Sequence, residues 1–151
     1  VFGLLCDMYN GMNKTDEVSR LVDEKLAADP NNFTALATKA RLLLDKEAKS
    51  AKPNFDESIS LYKKASGINP KNSVVLTFLG FAINNKAQLI NNNPNAQKEL
   101  YNESMGYLEK ARSLDPNREQ SNWAYPLYQC YYALYGTDDS RTQQLQNLIK
   151  K

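Results

Sequence analysis

Three prolines divide this sequence, because each follows an Asp or Asn at the end of an apolar, helix-like pattern. The three segments end in Asp29-Pro30, Asn69-Pro70 and Asp115-Pro116. Proline cannot continue a helix, and it pushes the residue before it out of the α region. A short polar segment that contains Asn follows each proline and can cap a new helix. The chain is therefore predicted to be a series of helices with a stop and a new start at each proline.

Apolar residues between these stops recur at helical spacing. Leu76, Leu79 and Ile83 are separated by three and four residues, which places them on one face of a helix. Asn54 with Glu57 three residues later predicts a capping-box start. No segment alternates with period two for long enough to predict a strand. The pattern predicts helices over 1–12, 15–28, 32–47, 54–67, 72–91, 95–114, 118–135 and 139–150.

Three of the predicted helix pairs resemble the tetratricopeptide repeat. That repeat has the pattern W-x2-L-G-x2-Y in its first helix, A-x3-F-x2-A in its second, a following proline and a period of about 34 residues. The best-matched pair carries Leu76, Leu79, Gly80 and Ile83, then Ser104, Leu108, Ala111 and Pro116. The pair before it carries Leu36, Lys39, Ala40 and Leu43, then Ser58, Tyr62, Ala65 and Pro70. The first pair carries Phe2, Leu5, Cys6 and Tyr9, then Val18, Val22, Lys25 and Pro30.

The resemblance implies an all-α fold, a right-handed α-α superhelix (solenoid) of about four helix-turn-helix units. It covers residues 1–151 as one repeat domain, and because the chain opens in the middle of a pattern we expect a fragment of a longer repeat protein. A small residue at the position of Gly80, Ala40 and Cys6 would let paired helices approach closely. Gly80→Ala is then expected to be mild, because Ala40 already occupies the equivalent position.

Two segments depart from the repeat length. Pro30 and Pro70 are 40 residues apart, and Pro70 and Pro116 are 46 residues apart. The excess residues are assigned to 46–54 and 90–95, both of which are polar. One interpretation is longer helices that end in an extended solvated turn, and the other is an added recognition loop.

The fourth unit is atypical and rich in tyrosine. Tyr125, Tyr128, Tyr132 and Tyr135 share one helical stripe, for which core packing and a ligand-facing wall both stay open. Pro126 is expected to kink this helix, because proline removes a backbone donor. The polar helix after it has the composition of a solubilising end cap.

In the tetratricopeptide family, ligands lie along a concave surface built mainly from the first helix of each pair. The resemblance therefore implies a partner-binding face on those helices. Thr77 and Asn84 are predicted to lie on this face. Only Arg41 at the inner positions suits a carboxylate clamp of Lys, Asn and Arg, so a chaperone-tail clamp is not expected. The residues predicted to carry binding are Arg41, Phe78, Phe81, Asn85, Tyr125, Gln129 and Tyr132.

Composition narrows the function further. The chain has no histidine, which removes the commonest general base and metal ligand. Its net charge of +2 is too balanced to favour nucleic acid. Cys6 and Cys130 form no CxxC pair, and they are interpreted as buried free thiols, with a disulfide left open. No metal, cofactor or membrane insertion is expected, and the compartment stays unknown.

The leading prediction is a non-catalytic scaffold that binds a protein or peptide ligand. The alternative is a structural module that self-associates or packs against further repeats of its own chain, through an N-terminal edge that includes Phe2, Leu4 and Leu5. A catalytic α/α domain is disfavoured, because no acid pair or phosphate loop stands out in the sequence.

Overall fold

A computed structural model of the protein describes residues 15–150, which contain seven helices and no strand. The all-α prediction is confirmed over this range. The predicted helix 1–12, with Phe2, Leu4, Leu5 and Cys6, lies outside the described residues. The helices are α1 Thr15–Ala28, α2 Phe33–Ala48, α3 Asp56–Ile68, α4 Ser73–Gln88, α5 Pro94–Leu114, α6 Ala124–Tyr135 and α7 Ser140–Lys150.

The chain divides into two compact units, 1–70 and 71–151. In the first, Val18 and Val22 of α1 pack with Ala35 of α2 in a buried cluster. Asn32 begins α2 by accepting a hydrogen bond from the Ala35 backbone N–H at 2.9 Å. Pairing of α2 with α3 includes a buried hydrogen bond, in which the Ser58 hydroxyl donates to the Ala40 carbonyl at 2.8 Å.

The second unit repeats this arrangement. The Ser104 hydroxyl of α5 donates to the Gly80 carbonyl of α4, again at 2.8 Å and again buried. Gly80 and Ser104 are thus equivalent to Ala40 and Ser58, which confirms the predicted alignment of these two repeats. Around this contact lies one apolar core, formed by Leu76, Ala87, Tyr101, Leu108, Ala111, Trp123, Ala124, Leu127, Cys130, Tyr131 and Leu145.

Most of the excess length in the second unit is helix. Helix α5 has 21 residues and begins ten residues before Ser104, whereas α3 begins two residues before Ser58. The connection between α4 and α5 is short, and Asn92 turns it with a positive φ of 58°. Asn93 then caps α5 by accepting from the Ala96 N–H at 3.1 Å. The longer-helix interpretation therefore describes this insertion.

The prediction that a capping box at Asn54 starts the helix is wrong. Helix α3 begins at Asp56, after an N-cap at Phe55 whose side chain makes no capping hydrogen bond. Asn54 instead accepts from the Asp56 N–H at 3.0 Å. This is a local turn formed by an Asn side chain with the backbone two residues on, which competes with helix initiation at Asn54 itself.

The predicted start of a helix at residue 118 is also wrong, because Asp115 holds the following segment in a loop. Its carboxylate accepts hydrogen bonds from the backbone N–H groups of Glu119, Gln120 and Ser121 at 2.9, 3.0 and 2.8 Å. The Trp123 indole donates to the Asp115 carbonyl at 2.7 Å. The loop ends at this indole, and α6 starts at the next residue.

Pro126 is therefore the third residue of α6 and lies in its first turn. A helix leaves its first N–H groups without intrahelical partners, so the missing donor costs nothing there. The predicted kink at Pro126 has no physical cause at this position.

The structure reverses the expectation for Gly80→Ala. A Cβ added at Gly80 would lie 2.5 Å from Leu108 Cγ and 2.7 Å from Leu108 Cδ2. In the first unit Tyr62 occupies the position of Leu108. The room for a side chain at Ala40 therefore does not show that there is room for one at Gly80. We expect Gly80→Ala to lower the free energy of unfolding by about 1–3 kcal/mol and Gly80→Leu to lower it more, both measured by urea denaturation.

Gly106 provides the control for this prediction, because it lies on the same helix as Leu108 and a Cβ there would meet nothing within 4 Å. Gly106→Ala should leave stability unchanged or raise it by roughly 0.5–1 kcal/mol. If Gly80→Ala behaves like Gly106→Ala, Leu108 can move aside and the helices are not held at this distance by Gly80.

A second prediction concerns Asp115. Burial disfavours its charged form, but hydrogen bonds from Gln120, Ser121 and Glu119 together outweigh this and lower its pKa. A lowered folded pKa means that Asp115 stabilises the protein above about pH 4 and that this contribution is lost as the pH falls further. Asp115→Asn should lower the melting temperature at pH 7, and the difference from the wild type should shrink towards pH 3. A difference that is equal at both pH values would contradict this account.

Candidate functional site

A buried asparagine fixes α6 against α4. Asn84 has no exposed surface, and its Nδ2 donates to the Pro126 carbonyl at 3.0 Å and to Gln129 Oε1 at 3.1 Å. The prediction of Asn84 as a surface residue is wrong, because its amide is used between helices. The prediction of Thr77 as a surface residue is also wrong, because Thr77 is buried.

The same polar cluster includes Cys130, which lies within hydrogen-bond distance of two acceptors. Its Sγ is 3.3 Å from Asn84 Oδ1 and 3.4 Å from Ser104 Oγ. Cys130 is a buried free thiol, as predicted, and burial raises its pKa to about 11. The thiol therefore stays protonated at neutral pH and serves packing, since only a thiolate is a good nucleophile.

The tyrosine stripe of α6 divides into two kinds of residue. Tyr125 is 47% exposed and Tyr132 is 53% exposed. Tyr135 is packed, because the Arg141 guanidinium lies 3.6 Å from its ring centroid and its hydroxyl reaches Met105 Sδ at 3.5 Å. The core interpretation thus fits Tyr135, whereas Tyr125 and Tyr132 are exposed and their role as a ligand-facing wall stays a prediction.

A cleft of about 470 Å³ opens within the second unit, where the end of α4 and the start of α5 meet α6. Two of its tyrosines, Tyr128 and Tyr132, have ring centroids 6.1 Å apart and ring planes tilted by 51°. Burial raises the pKa of the Tyr101 hydroxyl, which therefore stays neutral. The lining residues are Gln88, Gln97, Tyr101, Tyr128, Gln129, Tyr132 and Ala133.

Two glutamines of the cleft are held by hydrogen bonds to the protein. Gln129 Oε1 accepts from Asn84, and this leaves the Nε2 hydrogens of Gln129 as donors. Gln97 Nε2 donates to the Ala87 carbonyl at 3.0 Å, which leaves Gln97 Oε1 as an acceptor. The cleft therefore presents a donor and an acceptor on side chains whose positions are fixed.

The predicted site residues have different outcomes. Gln129 and Tyr132 lie together in the cleft. Phe78, Phe81 and Asn85 are half-buried on α4, and Tyr125 is exposed near the start of α6. Arg41 belongs to the first unit, where its Nε contacts the Asp45 carboxylate at 3.1 and 3.2 Å.

Sequence reasoning missed Gln88, Gln97, Tyr101 and Ala133 as lining residues. Gln97 lies beside the excess segment 90–95, so that insertion was the available signal for it. Tyr101 lies three residues before Ser104, which is the spacing of a core residue. No sequence pattern distinguishes a core tyrosine from one that also lines a cleft.

The cleft offers amide and phenol groups and no formal charge. All its lining residues are uncharged, so none can act as a carboxylate or ammonium acid-base group. Across residues 15–150, no three His, Cys, Asp or Glu side chains are grouped so as to hold a metal ion. Within the same range, no helix has the length and apolarity that a bilayer crossing requires.

Comparison with known proteins bears on the fold. No model of a known protein family matches the sequence, and no curated protein is significantly similar to it. Solved structures of MamA are similar at low identity. MamA MSR-1 is 17% identical, with a TM-score of 0.66 over 94% of this chain and 71% of that chain.

A mutant of MamA is 17% identical, with a TM-score of 0.70 over 98% of this chain and 75% of that chain. MamA AMB-1 is 18% identical, with a TM-score of 0.70 over 97% of this chain and 69% of that chain. Likeness at this level of identity concerns the fold alone. The protein has an all-α, tetratricopeptide-like helical repeat fold, as its sequence predicts.

Proposed function

We propose that this protein is a non-catalytic scaffold that binds a protein or peptide ligand on the first helices of its repeat units. The observation that carries the proposal is the exposure of Tyr125 and Tyr132, 47% and 53%, on a helix whose other face is buried. Large aromatic side chains that stay exposed on a rigid surface are typical of binding hot spots.

Helix α6 is held in position before any ligand arrives. Asn84 joins it to α4, and the Trp123 indole fixes its start by donating to the Asp115 carbonyl. A surface fixed in this way loses little conformational freedom on binding, which favours affinity. Phe78, Phe81 and Asn85 on α4 extend the proposed surface within the second unit. Arg41, in the first unit, is a separate candidate contact.

The proposal predicts different effects for surface and core substitutions. Tyr132→Ala should leave the melting temperature near that of the wild type, because the residue is more than half exposed. It should weaken ligand binding by about 2 kcal/mol or more if Tyr132 is a hot spot. Leu79→Ala should instead cost about 2–5 kcal/mol of stability, because Leu79 has no exposed surface.

The measurements are thermal melts of each variant and a pull-down from the native host, quantified against the wild type. Tyr125→Ala and Phe81→Ala extend the series, and Arg41→Ala tests the first unit independently. If Tyr132→Ala and Phe81→Ala unfold like Leu79→Ala and retain every partner, these residues serve the core and the proposed surface is wrong.

A further inference from the structure

We propose that the cleft between α4, α5 and α6 binds an uncharged, extended peptide segment through its main-chain amide groups. This inference deepens the proposed function and depends on it. It assigns a specific site to the second unit. One wall of this site comes from the second helix of a pair, which the predicted binding face on the first helices does not include. That wall is the start of α5, which contributes Gln97 and Tyr101.

The wall exists because α5 is longer than its counterpart. Gln97 lies seven residues before Ser104, and the equivalent position before Ser58 falls at residue 51, in the loop that precedes α3. The extra turns of α5 thus bring Gln97 beside α6. The inserted residues add a surface to the second unit that the first unit lacks.

The polar groups of the cleft match a peptide backbone. Gln129 keeps its N–H donors available while its oxygen accepts from Asn84, and Gln97 keeps its oxygen available while its nitrogen donates to the Ala87 carbonyl. A main chain presents both a carbonyl and an N–H, and it can satisfy both groups when it is extended and not already paired in a helix.

The charge of the cleft restricts the side chains that a ligand can carry. Its lining consists of three glutamines, three tyrosines and one alanine. A charged ligand side chain would lose hydration there without gaining an opposite charge, which is unfavourable. The tilted rings of Tyr128 and Tyr132 offer an apolar surface one helical turn long, which suits an aliphatic or proline side chain.

The test begins with a phage-displayed library of random heptapeptides selected on the wild-type protein. The enriched sequences are synthesised with acetyl and amide ends, so that the probes have no terminal charges. We expect uncharged segments with an apolar residue, and we expect the side-chain amide resonances of Gln97 and Gln129 to shift in ¹⁵N nuclear magnetic resonance spectra on titration.

Gln129→Glu is the diagnostic variant, because its carboxylate still accepts from Asn84 but no longer donates to a ligand. Binding of the selected peptide should weaken about tenfold or more, since a ligand carbonyl then faces an acceptor. Gln144→Glu, on an exposed position of α7, makes the same charge change as a control and should bind like the wild type. Gln97→Lys is an independent variant, because its ammonium can donate to the Ala87 carbonyl but cannot accept.

Equal binding by the wild type, Gln129→Glu and Gln97→Lys would overturn the inference, as would enrichment of peptides that bind through charged residues. Peptides that shift Phe78 and Phe81 but not the cleft would refute this site while supporting the proposed function. Enrichment of no peptide would count against both. Shifts of the cleft resonances by maltohexaose alone would reassign the cleft to carbohydrate.

Discussion

The second unit depends on the close approach of α4 and α5 at Gly80. Because Gly80 has no side chain, Leu108 packs into the space where a Cβ would lie. The Ser104 hydroxyl then reaches the Gly80 carbonyl at 2.8 Å and satisfies a polar group that the approach buries. Packing and hydrogen bonding thus require the same residue pair, and the first unit forms the equivalent hydrogen bond from Ser58 to the Ala40 carbonyl.

The polar cluster around Ser104 connects this helix pair to α6. Cys130 lies within 3.4 Å of the Ser104 hydroxyl and within 3.3 Å of the Asn84 amide oxygen, and Asn84 in turn holds Gln129. A buried polar cluster of this kind specifies one register, because any slip would leave buried donors and acceptors without partners. The side that α6 leaves exposed, with Tyr125 and Tyr132, is set by that register.

Sequence periodicity predicts the parts of this fold that depend on local spacing. Leu79, Ile83 and Leu108 are fully buried where the helical stripes place them. The burial of Asn84 could not be predicted, because its partner carbonyl lies 42 residues further along the chain. The start of α6 was missed for a similar reason, since the carboxylate of Asp115 captures N–H groups that a propensity argument assigns to a helix.

The candidate site shows the same division between local and long-range effects. The exposure of Tyr132 follows from its place on a stripe opposite the buried Leu127 and Cys130. The cleft requires in addition that α5 extend past its counterpart in the first unit, and an insertion length does not say whether the added residues form helix or loop. Asn93 and Pro94 decide this, because an Asn cap followed by proline starts α5 directly after the turn at Asn92. A polar insertion thereby becomes a rigid wall, and its glutamine gains a fixed position that a mobile loop would not provide.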